Sequence, residues 1–222
     1  MRFVVLDEKL RFPDPRQANA DGLVAIGGDF SVPRLLLAYR SGIFPWTADP
    51  ITWWSPDPRA VFELDQIHIS RSLAKLMRQG HFQITLDRAF RQVMEGCAES
   101  RPGRGETWIT REFLNAYARL HEEGHAHSLE CWEGDRLAGG IYGVAIGGLF
   151  AGESMFHRAS NASKVAVCRL GEHLRSRGFT LFDIQMLTPI TQQLGGITIP
   201  RAEYLRRVAG AIAQKCRFRQ EQ

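Results

Sequence analysis

The sequence predicts an α+β fold. A small, irregular N-terminal domain over residues 1–60 leads into a larger α/β domain over residues 61–222, built on a mixed, mostly antiparallel sheet. Seven of the ten prolines and three of the five tryptophans fall in the first 58 residues. Proline fixes φ and removes a backbone donor, so aromatic packing rather than strand ladders is expected there. From residue 61 onward, period-2 segments alternate with period-3.6 segments. Turns at Glu133-Gly134-Asp135 and Gly147-Gly148 separate three of the period-2 segments, the spacing of an antiparallel meander.

One helix is expected in the N-terminal domain, with Ser31 as cap, Pro33 in the first turn, Leu35, Leu36 and Tyr39 on its apolar face, and Gly42 as its stop. VFELDQIHIS (61–70) reads as extended chain, and RSLAKLMRQG as a short basic helix ended by Gly80. FQITL is a strand, followed by a helix over 87–100 opened by Asp87. Thr110 caps a helix over 111–123 that Gly124 closes. The strands AHSLECW, RLAGGIYGVAI and LFAGESMF come next, then a helix over 161–177 capped by Ser160 or Asn161 and ended by Gly178. FTLFDIQ is a further strand, and a terminal helix starts near Pro200. Helix, three antiparallel strands, long helix, strand: this order resembles the acetyltransferase-like (GNAT-like) α/β core.

A content of 44% hydrophobic and 23% charged residues is that of a globular domain with a real core. No apolar run is long enough for a transmembrane helix, and the apolar stretch in MRFVVLDEKLRF is too short for a secretory signal, so no membrane role is expected. Cys97, Cys131, Cys168 and Cys216 lie far apart without a C-x-x-C pair, as reduced thiols of a cytoplasmic protein do. The net charge of +4 permits a nucleic-acid partner without demanding one.

His121-Glu122-Glu123-Gly124-His125 spells the H-E-x-x-H pattern of zinc proteases, with His127 as a nominal third ligand. That chemistry needs both histidines one turn apart on a continuing helix. Gly124 lies inside the motif and a strand follows at once, so His125 is expected past the helix end and no metal is assigned. Acetyl-CoA is not expected either. Its pyrophosphate sits on backbone amides of a glycine-rich turn opening a helix, and the corresponding FHRASNASK contains no glycine.

Three segments read together as a candidate site. SGIFPW and TWWSPDPRAVF place Trp46, Trp53 and Trp54 in a proline-held stretch, with Trp53 and Trp54 better suited to a structural mini-core. In GGIYGVAIGGLFAGESMF the glycines allow close approach of backbone or ligand, and Glu153 is a carboxylate flanked by apolar residues, open to a structural or a functional reading. In FDIQMLTPITQQLGG, Asp183 and Gln185 stand two apart on a strand and are expected to face the same side.

Taken in order, GLVAIGGDFSVPRLLLAYRSGIFPW, WWSPDPRAVF, HISRS, TWIT, AYARLHEEGHAHSLECW, GGIYGVAIGGLFAGESMF, NASK, DIQ and LGG closely resemble the bacterial leucyl/phenylalanyl-tRNA–protein transferase family, from Gly22 to Tyr204. The resemblance implies an enzyme that moves leucine, less readily phenylalanine or methionine, from aminoacyl-tRNA to proteins beginning with lysine or arginine, marking them for degradation by an N-terminal rule. The alternative is a transferase of the same fold with changed amino-acid or acceptor specificity. The chemistry is aminolysis of an ester and needs no ATP, cofactor or metal. A protein α-amine has a pKa of about 7.7–8.0, so part of it is already neutral. Positioning supplies on the order of 7–11 kcal/mol when geometry is well held.

By position in these motifs, the resemblance assigns Asp183 and Gln185 as the catalytic pair, with Glu153 organising the same pocket. Trp46, Trp108, Phe150, Met155 and Phe182 match the aminoacyl pocket. Ile141 and Leu170 complete it where Met and Phe are expected, and Thr188 replaces an expected Asn before an unusual Pro189-Ile190. These departures bear on the choice among leucine, phenylalanine and methionine, and on the acceptor. Arg71, Lys75 and Arg78, spaced by four and three on the short basic helix, form one face suited to acceptor-stem phosphates.

Overall fold

A computed structural model describes residues 4–99 and 107–219. The N-terminal part holds strands β1 (Val5–Leu6), β2 (Leu23–Gly27), β3 (Phe44–Ala48) and β4 (Ile51–Trp54), with helix α1 (Val32–Arg40) between β2 and β3 in the chain. The strands form a sheet in the order β1-β2-β4-β3, so the expected irregular domain is in fact strand-built. Proline does not prevent this because Pro45 lies on the edge strand β3 and Pro50 in the turn to β4. Trp53 on β4 is fully buried and its indole donates to Gly27 O at 2.8 Å.

The remaining elements are β5 (Arg59–Phe62), α2 (Arg71–Arg78), β6 (Gln83–Leu86), α3 (Phe90–Ala98), α4 (Arg111–Glu122), β7 (Ala126–Glu133), β8 (Arg136–Ile146), β9 (Leu149–His157), α5 (Ala162–Ser176), β10 (Leu181–Gln185), α6 (Pro189–Gln193), β11 (Ile197–Ile199) and α7 (Arg201–Ile212). Seven strands line up as β11-β5-β10-β9-β8-β7-β6. Only β9 and β10 pair in parallel, through the crossover helix α5; the other pairs are antiparallel. The predicted mixed, mostly antiparallel sheet and its three-strand meander are therefore present. Gly134 and Gly147, at φ 59° and 56°, make the two turns.

Several local expectations are corrected. The extended run from residue 61 ends at Phe62, and α6 and β11 are too short to show a period. Asp87 does not cap α3: it holds φ 58° and accepts the Ser128 amide at 2.8 Å. The fully buried Glu130 on β7 instead takes the Arg88 and Ala89 amides at 3.4 Å. Ser100, the expected end of that helix, lies outside the described residues.

Two cores flank the large sheet. On one face, Tyr39, Trp53, Phe113, Tyr117 and Tyr142 pack together, joining the N-terminal part to α3, α4 and the meander. On the other, α5 packs Val165, Cys168 and Leu170 against Leu129, Phe150 and Phe182. A smaller cluster seats α7 through Tyr204 and Val208 beside Val61, Leu149 and Leu181. Among the described residues no helix is long and apolar enough to cross a membrane.

Candidate active site

The site opens where two neighbouring strands lose their regular pairing. β9 and β10 pair only through Leu149–Ala151 and Leu181–Asp183. Immediately beyond, each strand carries a bulge. Tyr142 faces Ser154 but Gly143 faces Gly152, which leaves Glu153 as the extra residue of β9. Val61 faces Asp183 but Ala60 faces Gln185, which leaves Ile184 as the extra residue of β10. A bulge bends its strand and re-aims side chains, and two side by side part the strands. Gly143 is required here, since a Cβ there would lie 2.3 Å from Ala151 O and 2.6 Å from the Phe150 ring.

The bulge also overturns the expectation that Asp183 and Gln185 face the same side. Gln185 has φ 61°, which breaks strand alternation, and the two side chains diverge. Asp183 points to the α7 side, fully buried. Its Oδ1 accepts Arg59 Nε at 2.9 Å and the Gln185 amide at 2.9 Å. Its Oδ2 accepts Arg59 Nη2 at 2.7 Å and the Tyr204 hydroxyl at 2.8 Å. Arg59 is in turn held between the Phe44 and Tyr204 rings, at 4.6 and 4.4 Å. All its acceptor directions are thus used, and its link to the pocket is the Gln185 backbone that it holds.

Gln185 points the other way, into the pocket, where Nε2 donates to Glu153 Oε1 at 2.7 Å. Two further donors reach that carboxylate: the Tyr39 hydroxyl to Oε1 at 2.8 Å, and the Tyr117 hydroxyl to Oε2 at 3.1 Å. The two hydroxyls also touch each other. Burial pushes Glu153 up to about 7, although both hydroxyls pull it down. Sequence reasoning missed Tyr39, Tyr117, Arg59 and Tyr204. In sequence Tyr39 belongs to an apolar helix face, and nothing local marks a hydroxyl that meets its partner across the fold.

The pocket holds about 220 Å3. Of the residues matched to it by motif, Trp46, Trp108, Ile141 and Met155 line it, together with Glu153 and Gln185. Phe150, Leu170 and Phe182 do not; they are fully buried one layer behind. The Phe182 ring supports Phe62, which does line the pocket, at 5.3 Å, and Phe150 backs Phe182 at 5.6 Å. Phe44, Val167, Ile184, Met186 and Thr191 are among the lining residues that the motifs did not single out, and Thr188, which they did, lines it too. They come from five different elements or their connections, so no one segment signals them.

Arg71, Lys75 and Arg78 are all exposed on α2, with Leu73 turned inward. Ser70 caps that helix by accepting Leu73 N. The H-E-x-x-H string is pulled apart: His121 Nδ1 contacts Ala126 O at 2.8 Å, Gly124 at φ 78° closes α4, and His127 Nδ1 meets Asp87 at 2.8 Å. Among the described residues no group of three or more His, Cys, Asp or Glu is arranged to hold a metal ion.

Two family models match the chain: "Leucyl/phenylalanyl-tRNA protein transferase" over residues 61–209 and its "N-terminal domain" over residues 28–57. Leucyl/phenylalanyl-tRNA--protein transferase of Shewanella sp. (strain W3-18-1) is 53% identical over 198 residues, covering 87% of this chain and 84% of that protein. The protein of the same name from Anaeromyxobacter sp. (strain K) is 52% identical over 206 residues, covering 91% and 88%. A solved structure of L-PGS from Bacillus licheniformis overlaps 83% of this chain and 71% of its own, with 11% identity and a TM-score of 0.43. On half-identical relatives matched over most of their length and two family models in sequence, the chain belongs to the leucyl/phenylalanyl-tRNA–protein transferase family and is an aminoacyltransferase.

Proposed function

We propose that this enzyme transfers leucine, less readily phenylalanine or methionine, from charged tRNA to acceptor proteins that begin with lysine or arginine, in the cytoplasm, and so marks them for N-terminal-rule degradation. The observation that carries the reading is a largely apolar pocket of about 220 Å3 whose lining includes the hydrogen-bonded pair Gln185 and Glu153. The aminoacyl side chain enters between Trp46, Trp108, Ile141 and Met155, which brings its ester carbonyl to Gln185. The acceptor α-amine attacks that carbonyl; the C–N amide bond forms, the ester C–O bond breaks, and the amine proton ends on the ribose oxygen. Gln185 receives the amine, Asp183 holds Gln185, and proximity does most of the work. Arg71, Lys75 and Arg78 take acceptor-stem phosphates, which position the tRNA without reading its sequence. We read the fold as acetyltransferase-like, supported by the crossover through α5 and by the parting of the parallel pair β9 and β10.

A reading with changed amino-acid or acceptor preference draws on Ile141 and Thr188, since both line the pocket. Transfer of labelled leucine, phenylalanine and methionine from charged tRNA onto an Arg-initiated protein, without ATP, separates the two. Leucine entering fastest supports the main reading; no transfer of any of the three overturns it.

A further inference from the structure

The amide of Gln185 has a defined direction. Its Nε2 donates to Glu153 Oε1 at 2.7 Å, and an ionised carboxylate only accepts. The other end of the amide, Oε1, is then the end left for the pocket. An attacking α-amine arrives with N–H groups and needs an acceptor there. Glu153 receives Tyr39, Tyr117 and Gln185, all as donors. As a carboxylate it accepts all three, and with both hydroxyl protons given to it neither tyrosine keeps one for the contact between them. As an acid it carries an O–H whose acceptor is either a tyrosine oxygen, with the hydroxyl protons passed on along the contact between the two tyrosines, or the Gln185 carbonyl, reached by rotating the amide. That rotation turns Nε2 to the pocket, donor against donor.

We propose that Tyr39 and Tyr117 are positioning residues for the transfer: by donating to Glu153 they keep it the acceptor of Gln185 Nε2, and so hold the Gln185 carbonyl toward the incoming amine. This rests on the reading of Gln185 as the group that receives the amine. The two tyrosines come from α1 and α4, far apart in the chain and joined in one core, so the device exists only in the folded molecule.

The other ionisable groups around Glu153 are Arg59 on β5, which favours its charge, and Asp183 on β10, which opposes it. Tyr142 on β8 and Tyr204 on α7 face it as well, and burial raises both tyrosines well above their ordinary value. Burial does the same to Tyr39 and Tyr117, so both remain protonated donors across the working pH range. Burial sets Glu153 at about 7. Transfer therefore rises with pH as Glu153 ionises, in the same direction as the acceptor amine at about 7.7–8.0. Removing one hydroxyl donor leaves the carboxylate less supported and moves its ionisation to higher pH.

The test is the pH profile of kcat/KM for leucine transfer by the unmodified enzyme, Tyr39→Phe and Tyr117→Phe. In each variant the acid limb should shift upward by about half a pH unit or more, with the rate recovering at high pH. An equal loss at every pH would assign the tyrosines a structural role alone and overturn the proposal. A second measurement does not need transfer: carboxyl 13C NMR of glutamate-labelled protein, with the Glu153 resonance identified by its loss in Glu153→Gln. A midpoint near 7 that moves upward in both tyrosine variants supports the proposal. A midpoint at the ordinary value of about 4.3, or one that neither substitution moves, overturns it even if the enzyme transfers leucine as proposed.

Discussion

Asp183 and Glu153 are two carboxylates on adjacent strands, the first fully buried and the second part-buried at the pocket wall, and the fold treats them in opposite ways. Asp183 is matched by a cation: the Arg59 guanidinium makes two bonds to it, with side-chain exposures of 1% and 0%. Glu153 has only neutral donors, two hydroxyls and an amide, and one side of it faces the pocket. A buried charge with its counter-ion is framework, because removing either partner strands the other. A buried carboxylate without one is pushed toward neutrality, here to about 7, where it responds to its surroundings. In sequence both are single acidic residues in apolar strands.

Breaking the Asp183 side should have the largest effect. Arg59→Ala strands a buried carboxylate and empties the space between two rings, so unfolding free energy should fall by about 3–5 kcal/mol, read by denaturant titration. The pair Arg59→Met with Asp183→Leu should recover much of that loss. It should still fail in transfer, because the Gln185 amide loses its acceptor. Breaking the Glu153 side should spare stability and cost chemistry. Gln185→Ala should lower kcat/KM on the order of a hundredfold, about 2.7 kcal/mol, with an unchanged melting temperature.

Neutralising Glu153 sharpens the contrast further. Its folded-state value of about 7 lies above its unfolded value, so the folded protein binds more protons between the two, and stability falls as pH rises through that window. At pH near 8 the full penalty is present. Glu153→Gln should therefore stabilise the protein there by about 1–2 kcal/mol, the open pocket face keeping the gain below the full linkage value. Near pH 4 the gain should vanish. Ile141→Ala widens the pocket without touching either carboxylate and should favour phenylalanine over leucine by roughly tenfold, measured in competition between charged tRNAs. The smallest effect should come from Arg78→Ala, remote from both groups. Binding of charged tRNA should weaken uniformly, with the slope of log affinity on log salt reduced by about 0.7–0.9.

Much of the fold was legible because its signals are local. Gly134 and Gly147 mark the meander turns, Gly42, Gly80 and Gly124 stop three helices at positive φ, and Ser70 caps α2. The N-terminal sheet was not legible, since seven prolines argue against strands until Pro45 is known to sit on an edge. Within the site, Trp46, Trp108, Ile141, Met155, Glu153 and Gln185 were named from motifs and do meet at one pocket. Phe150, Leu170 and Phe182 carry the same kind of motif match but stand one layer back, a distinction of depth that residue type cannot express.

What the sequence determined by itself was the family, the order of most elements from the basic helix onward and six residues that meet at one pocket, because glycine turns, caps and long unusual strings are properties of neighbouring residues. What only the tertiary structure decided was direction. Two bulges and a left-handed Gln185 send Asp183 to Arg59 and Gln185 to Glu153. Tyr39 and Tyr117, far apart in the chain, then converge on one carboxylate. Burial and hydrogen bonding are pairwise quantities in space, and they alone make one of two similar acids a fixed support and the other a group that titrates near 7.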